Sequence, residues 1–192
     1  IEREGDRYVV QEDLPNSVGR MRSHHGNVGN LVRAYAYIRS LGPDGLADVA
    51  EKAVLNANYL RKRLEEQGFS MAYDRTCMHE FVAQPPGELR TLDLAKALLD
   101  EGMHPMTVYF PLVVKEAMMV EPTETEALES LDAYAEALGR VTRRAQQDAE
   151  WLAGAPYMTP VRRLDEVLAA RTPILRCTPS EAVDAVQGEA AD

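Results

Sequence analysis

Apolar residues recur at helical spacing through residues 44–67, and this run constrains the fold more than any other segment, because one face of such a helix must be buried. Lys52 and Lys62 fall on the opposite face, which we expect to contact solvent. Gly42-Pro43 should interrupt the helical pattern before the run, and Gly68 is placed to end it in a left-handed conformation. The predicted inner face consists of Leu46, Val49, Ala50, Ala53, Val54, Ala57, Leu60 and Leu64.

The segment before this helix is predicted to be a hairpin followed by a loop. Residues 1–4 and 7–11 flank Gly5-Asp6, a turn sequence, and the second flank contains strand-forming side chains. Residues 14–30 hold a proline and three glycines, which predicts a loop with unusual backbone angles. A short helix should follow from Asn30.

After residue 68, short runs of strand-forming residues alternate with helical segments. The predicted strands are residues 69–73, 80–83, 107–109 and 117–120, and the predicted helices are residues 91–101, 123–151 and 164–170. This order predicts an α+β fold, in which a small antiparallel sheet of three or four strands carries helices packed on one face.

The two longer of these helices have recognisable inner stripes. Thr123 and Glu126 form a capping-box sequence, which predicts that the second helix begins there. The stripes are Leu92, Ala95, Leu98 and Leu99 in the first helix and Leu128, Leu131, Ala135, Leu138 and Thr142 in the second.

The formal net charge of −10 and the isoelectric point near 4.9 argue against a nucleic-acid partner, which would need a cationic surface. No apolar run approaches the roughly 20 residues that span a bilayer, and the start of the chain lacks a secretory pattern, so we expect a cytoplasmic protein without membrane contact. Cys77 and Cys177 are far apart, which favours reduced thiols. The adjacent His24 and His25 make a poor metal pair, and we predict no metal site.

Several polar residues are candidates for a site, each with an ordinary structural alternative. The free amides of the helix start beside Asn27 can attract a phosphate or carboxylate, or Asn27 only caps the helix. His79 is a proton carrier or a strand-end residue, and Tyr109, close to His104, binds substrate or packs as an aromatic. The charges of Arg162 to Glu166 form a solvated pair or dock another subunit.

Longer phrases of the chain carry more specific information than any short motif. They are Gly19-Arg20-Met21-Arg22, Gly26-Asn27-Val28-Gly29, Leu31-Val32-Arg33-Ala34-Tyr35, Ala53-Val54-Leu55-Asn56-Ala57-Asn58-Tyr59-Leu60, His79-Glu80-Phe81, Arg90-Thr91-Leu92-Asp93, Tyr109-Phe110-Pro111, Glu121-Pro122-Thr123-Glu124-Thr125-Glu126 and Thr159-Pro160-Val161-Arg162-Arg163-Leu164-Asp165-Glu166. Together they resemble the glycine decarboxylase, or P-protein, of the glycine cleavage system, in particular subunit 2 of the two-subunit bacterial form.

The resemblance implies the C-terminal small domain of a fold-type I aminotransferase-like enzyme. Residues 1–30 would end the large domain, residues 31–176 would form the small domain and residues 177–192 would be a flexible tail. In this family pyridoxal phosphate takes up the electrons left when CO2 departs from glycine, and the aminomethyl group passes to the lipoyl arm of the H-protein.

The lysine that binds the cofactor in this family follows a histidine upstream of the hairpin. None of the four lysines here, Lys52, Lys62, Lys96 and Lys115, has that context. We therefore expect a fragment of a longer subunit that supplies no catalytic residue and is inactive by itself.

The resemblance also implies roles for the candidate residues. Asn27 is expected to contact the cofactor, and an arginine would pair with the substrate carboxylate. The expected substrate contacts are Arg75, His79, Arg90, His104 and Tyr109.

The expected partners are the rest of the same subunit, decarboxylase subunit 1, the lipoylated H-protein and glycine, and apolar surface left exposed predicts an oligomer. Two other interpretations stay open. One is a non-catalytic interaction or regulatory domain that retains the fold, and the other is the small domain of a different fold-type I enzyme with pyridoxal phosphate.

Overall fold

The computed structural model describes residues 1–11, 14–19 and 26–175, and its contacts form two units that divide between Val49 and Ala50. The His24-His25 pair, Cys177 and the predicted tail 177–192 lie outside the described residues, as does part of the glycine-rich loop. The domain boundaries expected near residues 30 and 176 stay a prediction.

The first unit begins with the predicted hairpin. Strands β1 (Glu2–Glu4) and β2 (Arg7–Val9) pair antiparallel, with Glu4 opposite Arg7. Gly5 has φ 62°, a value that glycine adopts without steric cost, so the turn sequence explains the hairpin.

Helix α1 (Val28–Glu66) begins slightly before the predicted Asn30 and passes from the first unit into the second. Gly42 interrupts it with φ 66° and ψ −176°, which confirms the break predicted at Gly42-Pro43. Before the break the helix exposes a group of apolar side chains, Val28, Leu31, Val32, Tyr35, Tyr37 and Ile38.

Gly68 ends α1 as predicted. Its φ is 92°, its N–H donates to the Glu65 carbonyl at 3.0 Å, and the Phe69 N–H donates to the Leu64 carbonyl at 3.1 Å. These two bonds satisfy carbonyls of the last turn and direct the chain into the first strand of the sheet.

The second unit contains a four-stranded antiparallel sheet in the order β3-β4-β6-β5. Phe81 and Ala83 on β4 lie opposite Val120 and Met118 on β6, and all four side chains are buried. The strands are β3 (Ser70–Met71), β4 (Phe81–Gln84), β5 (Thr107–Val108) and β6 (Met118–Val120).

Helices cover the buried face of this sheet, which confirms the predicted α+β architecture. They are α2 (Thr91–Asp100), α3 (Leu128–Gln147) and α4 (Ala149–Gly154), together with the second part of α1, whereas α5 (Glu166–Arg171) buries no residue. The core joins sheet residues to side chains of α1, α2 and α3, including Leu60, Leu64, Leu94, Leu98, Leu131 and Leu138. Within the described residues, no helix is long and apolar enough to cross a membrane.

The predicted inner stripe of α2 was partly wrong. Leu98 is fully buried, but Leu99 is 40% exposed, and Leu94, which the stripe omitted, is fully buried. The buried face is wider than one stripe because α2 contacts both α3 and α4.

The predicted start of the long C-terminal helix was also wrong. Helix α3 begins at Leu128, where Ala127 occupies the N-cap position without a side-chain bond, and the Thr123 hydroxyl lies 2.7 Å from that of Thr125. The Asn56 side chain binds the carbonyls of Thr123 and Glu126, and residues 123–126 form a turn before the helix, so the capping box does not form. Leu128, predicted to be internal, stands in the first turn and is 55% exposed.

The same helix does not continue to Trp151. It ends at Gln147, and the Asp148 carboxylate accepts a hydrogen bond from the Trp151 N–H at 2.8 Å, which starts α4. The capping bond of Asp148 starts a new helix even though the helical spacing of apolar residues continues past this position.

Asp132 joins α3 to α1 through a polar contact. The Tyr59 hydroxyl donates to Asp132 Oδ1 at 2.7 Å, and Arg63 Nε donates to the same oxygen at 2.9 Å. The hydrogen bond from Tyr59, and to a smaller extent the one from Arg63, lowers the pKa of Asp132. The same Tyr59–Asp132 bond raises the pKa of Tyr59. The ionised carboxylate therefore stabilises the pairing of the two helices.

Leu98→Ala should lower the free energy of unfolding by about 2–5 kcal/mol, because the side chain is fully buried among α2, α3 and the sheet. Leu99→Ala is the matched control on the same helix and should cost about 1 kcal/mol or less, because Leu99 is 40% exposed. Urea unfolding followed by circular dichroism measures both. Equal costs would contradict the packing described for α2.

Asp132→Asn should make stability less dependent on pH in the acid range. Because folding lowers the pKa of Asp132, its contribution is complete above the unfolded value of about 3.9 and is lost as pH falls through the folded value. The wild-type advantage over Asp132→Asn should thus be constant near neutral pH and shrink below about pH 4. Urea titrations at several pH values measure this stability difference between wild type and variant. A difference that grows as the pH falls would contradict the lowered pKa of Asp132.

Candidate functional site

The strand register divides the predicted site residues between two ends of the sheet. Phe81 lies opposite Val120, so His79 lies beyond one end of the β4–β6 pair. Val108 lies opposite Met118, so Tyr109 lies beyond the other end. We call the first the histidine end, with Arg75, His79 and His104, and the second the arginine end, with Arg90 and Tyr109.

At the histidine end, Glu121 shares a cavity lining with each of the two histidines. His79 Nε2 is 3.7 Å from Glu121 Oε1, and both side chains are about half exposed. His79 lines a cavity of about 310 Å³, His104 lines another of about 410 Å³, and Glu121 and Pro122 line both. An imidazole beside a carboxylate is a pair that can hold or move a proton.

Arg75 lies in the loop that leads to His79. Its backbone N–H donates to the Tyr73 carbonyl at 2.9 Å, and the residue is exposed. It belongs to the histidine end by its position along the chain.

Two asparagines of α1 fix the backbone around the histidine end. Asn56 Nδ2 donates to the carbonyls of Thr123 at 2.9 Å and Glu126 at 3.1 Å. Asn58 bonds the backbone of Cys77 in both directions, since its Nδ2 donates to the carbonyl at 2.8 Å and its Oδ1 accepts from the N–H at 3.0 Å. Burial of Cys77 in this position raises the pKa of its thiol.

The sequence patterns predict no role for these asparagines. The available signal was their residue type, because asparagine is a poor helix former and two of them lie in the interior of α1.

At the arginine end, Arg90 and Tyr109 are brought together. Arg90 is the N-cap residue of α2, and its side chain is 61% exposed. The charge of Asp93 and, to a smaller extent, the nearby Tyr109 hydroxyl raise the pKa of Arg90. The pair therefore presents a permanent positive charge and a phenol side by side, a combination that suits a carboxylate ligand.

The backbone at this end is strained. Tyr109 has φ 58° and Glu116 has φ 50°, and neither is glycine. Such angles persist only where neighbouring contacts enforce them, and they are concentrated at functional sites.

Glu116 supplies those contacts. Its Oε2 accepts from the Thr91 N–H at 2.7 Å, and its carbonyl accepts from the Thr91 hydroxyl at 2.8 Å. The Tyr109 N–H donates to the Ala117 carbonyl at 2.8 Å. The start of α2, which carries Arg90, is thus attached to the segment that carries Tyr109.

Asp93 is buried behind Arg90, with a side chain only 6% exposed. Arg163 Nη2 lies 2.7 Å from its Oδ1, and Arg90 Nε lies 3.8 Å from its Oδ2. A buried carboxylate needs such partners. No sequence pattern predicts this contact, because 70 residues separate Asp93 from Arg163.

Asn27 lies in the first unit, at the start of α1. Its Oδ1 accepts a hydrogen bond from the Asn30 N–H at 3.3 Å, which is the capping role that the sequence left open.

The lysines of this chain do not fit a covalent bond to pyridoxal phosphate. Lys52, Lys62 and Lys115 are exposed, and Lys96 Nζ lies 3.2 Å from Glu166 Oε1. A nucleophilic lysine must be a neutral amine, a form that exposure and ion pairing both disfavour. Across residues 1–11, 14–19 and 26–175, no group of three or more His, Cys, Asp or Glu side chains is placed to hold a metal ion.

Comparison with known proteins gives one consistent family. Residues 49–154 match the family model described as "Glycine dehydrogenase, C-terminal domain". The chain is 57% identical over 175 residues to "Probable glycine dehydrogenase (decarboxylating) subunit 2" of Thermus thermophilus, covering 91% of this chain and 36% of that protein. It is 51% identical over 182 residues to the protein of the same name from Caldanaerobacter subterraneus subsp. tengcongensis, covering 93% and 37%.

A solved structure shows the same similarity. The crystal structure of glycine decarboxylase (P-protein) of the glycine cleavage system, in inhibitor-bound form, matches with a TM-score of 0.51 and 30% identity over 55% of this chain and 24% of that one. The chain therefore spans a little over a third of the length of these curated relatives.

Asn56→Ala should lower the free energy of unfolding by about 1–3 kcal/mol, because two backbone carbonyls lose their side-chain donor. Asn30→Ala, at an exposed position of the same helix, is the control and should change stability by about 0.5 kcal/mol or less. Urea unfolding measures both. An equal effect at both positions would show that Asn56 does not stabilise the segment before α3.

Proposed function

Since the chain belongs to the glycine dehydrogenase C-terminal domain family, we propose that it works as the C-terminal part of an enzyme that decarboxylates glycine. The family match over residues 49–154 is the observation that carries this proposal, and the relatives that are 51–57% identical support it. The proposed partners are the rest of the subunit, decarboxylase subunit 1 and the lipoylated H-protein, in an oligomer in the cytoplasm.

Pyridoxal phosphate is the proposed cofactor of the complete enzyme, where it would supply an electron sink for the electrons of the broken bond. None of the four lysines here fits its covalent attachment, so a lysine outside these residues would carry it. The contribution of this chain is then to bind and orient the substrate. Asn27 stays a proposed cofactor contact, in addition to its capping bond.

Arg90 is the residue that we propose for the glycine carboxylate. It is exposed, permanently charged and near the Tyr109 hydroxyl, and we propose that both groups face the same ligand position. A guanidinium binds a carboxylate through two parallel hydrogen bonds, and the phenol adds a third donor.

This role has a specific kinetic consequence. The carboxylate leaves as CO2, and its negative charge moves away from the guanidinium during bond cleavage. An arginine that holds the carboxylate therefore favours the bound substrate over the transition state, and its main effect is on KM.

The histidine end has a different proposed role. His79 and His104 each line a cavity that Glu121 also lines, and Arg75 adds a cation nearby in the chain. We propose them as secondary substrate contacts, with His79 the candidate proton carrier because a carboxylate lies 3.7 Å from its ring.

A non-catalytic docking domain would retain this fold as well. The observation that separates it from the enzyme part is the exposed Arg90–Tyr109 pair on a strained backbone, which a docking surface does not require.

Arg90→Gln in the complete enzyme should raise the KM for glycine about 10- to 100-fold, because a charge-assisted hydrogen-bond pair is worth about 1.5–3 kcal/mol. The kcat should change less than about threefold, because the contact favours the bound substrate. Release of labelled CO2 from carboxyl-labelled glycine, with subunit 1 and lipoylated H-protein present, measures both constants.

Arg140→Gln is the control for the loss of one surface cation, because Arg140 pairs with Glu101 at the far end of α2. It should leave both constants unchanged. An unchanged KM in Arg90→Gln would remove Arg90 from the binding site, and a complete enzyme with no glycine-dependent CO2 release would overturn the proposed function.

A further inference from the structure

One face of α2 binds the segment of residues 155–166, which we call the strap. Asp93, Lys96 and Asp100 lie along this face at helical spacing. Asp93 binds Arg163 and Lys96 binds Glu166. The Asp100 carboxylate accepts from the N–H groups of Tyr157 at 2.8 Å and Met158 at 2.7 Å.

Arg163 is the most constrained side chain of the strap. Its Nε donates to the Ala155 carbonyl at 3.0 Å, and its Nη2 donates to Asp93 Oδ1 at 2.7 Å. The planar guanidinium thus connects the first residue of the strap to α2, and lysine cannot reproduce this two-sided geometry.

Asp93 shares its two oxygens between two arginines. Oδ1 is engaged by Arg163, and Oδ2 faces Arg90 Nε at 3.8 Å, which is beyond hydrogen-bond distance. Arg163 occupies one oxygen of the Asp93 carboxylate at close range. Arg90 is therefore attracted to Asp93 but does not bind both of its oxygens. The Arg90 guanidinium thus makes no close bond to Asp93 and lies near the Tyr109 hydroxyl.

We propose that Arg163 is a positioning residue for glycine binding: by occupying Asp93 Oδ1, it prevents Asp93 from drawing Arg90 away from Tyr109 and the substrate carboxylate. This inference rests on the proposed role of Arg90. Without Arg163, both oxygens of a buried carboxylate would be open to Arg90, and a closed Arg90–Asp93 pair would compete with glycine for the same guanidinium.

A double-mutant cycle in the complete enzyme tests the coupling. Arg90→Gln, Arg163→Gln and the double variant are assembled with subunit 1 and the H-protein. The KM and kcat come from CO2 release, and the dissociation constant of glycine comes from equilibrium dialysis. Arg163→Gln should raise the KM and the dissociation constant three- to tenfold and change kcat less than twofold. In the Arg90→Gln background it should cause no further rise.

Arg162→Gln is the matched control, with the same charge change at the adjacent position. Arg162 donates to the Pro156 carbonyl and stacks on the Tyr157 ring, with 4.9 Å between the guanidinium carbon and the ring centroid. Arg162 belongs to the strap, but its two contacts described above do not involve Asp93. Its substitution should therefore leave the KM within twofold of the wild type.

The outcomes separate this inference from the proposed function. An equal rise in KM on adding Arg163→Gln to either background, or no rise at all, overturns the positioning role while the role of Arg90 stands. An unchanged KM in Arg90→Gln overturns both. If Arg163→Gln does not fold, as judged by circular dichroism, the same cycle is run with Arg163→Met, which keeps an apolar side chain at this position and removes the cation from Asp93. Its rise in KM must likewise vanish in the Arg90→Gln background, and a rise that persists there overturns the inference.

Discussion

The antiparallel pairing of β4 with β6 is the constraint on which the second unit depends. Placing Phe81 opposite Val120 and Ala83 opposite Met118 puts all four side chains on one buried face, against which the helices pack. The same register decides where the chain leaves the sheet. A shift by one residue would turn the apolar side chains outward and move His79 away from Glu121.

Local chemistry predicted much of this fold. The glycines at positions 5, 42 and 68 marked a turn, a helix interruption and a helix end, and each has the positive φ that those roles require. The strand positions followed from short runs of strand-forming residues. Prediction failed where a distant residue intervened. Asn56 prevents the capping box at Thr123. Because α2 contacts α4 as well as α3, Leu94 is buried and Leu99 is exposed, the reverse of the prediction.

The candidate site was less predictable from sequence. Residue types and the family resemblance selected Arg90, Tyr109, His79 and His104, but their division between two ends of the sheet depends on strand register. The residues that hold them in place, such as Glu116 and Arg163, had no local signal, because their partners lie 25 and 70 positions away. The supporting contacts join residues that are far apart in sequence, so no local pattern predicts them. The groups that would touch a ligand can be selected from the sequence by their residue type.

The strap and α5 are expected to be locally less stable than the core. Beyond Arg163 no residue up to position 175 is buried, and α5 is held to α2 by the partly exposed Lys96–Glu166 pair. Such a segment opens at a small fraction of the free energy needed to unfold the core. An opening that extends back to Arg163 would release Asp93 Oδ1 beside Arg90 while the sheet and helices α1 to α4 stay intact. Under the positioning role proposed for Arg163, warming or mild denaturant would then weaken glycine binding well before global unfolding, so functional and structural melting would occur at different temperatures.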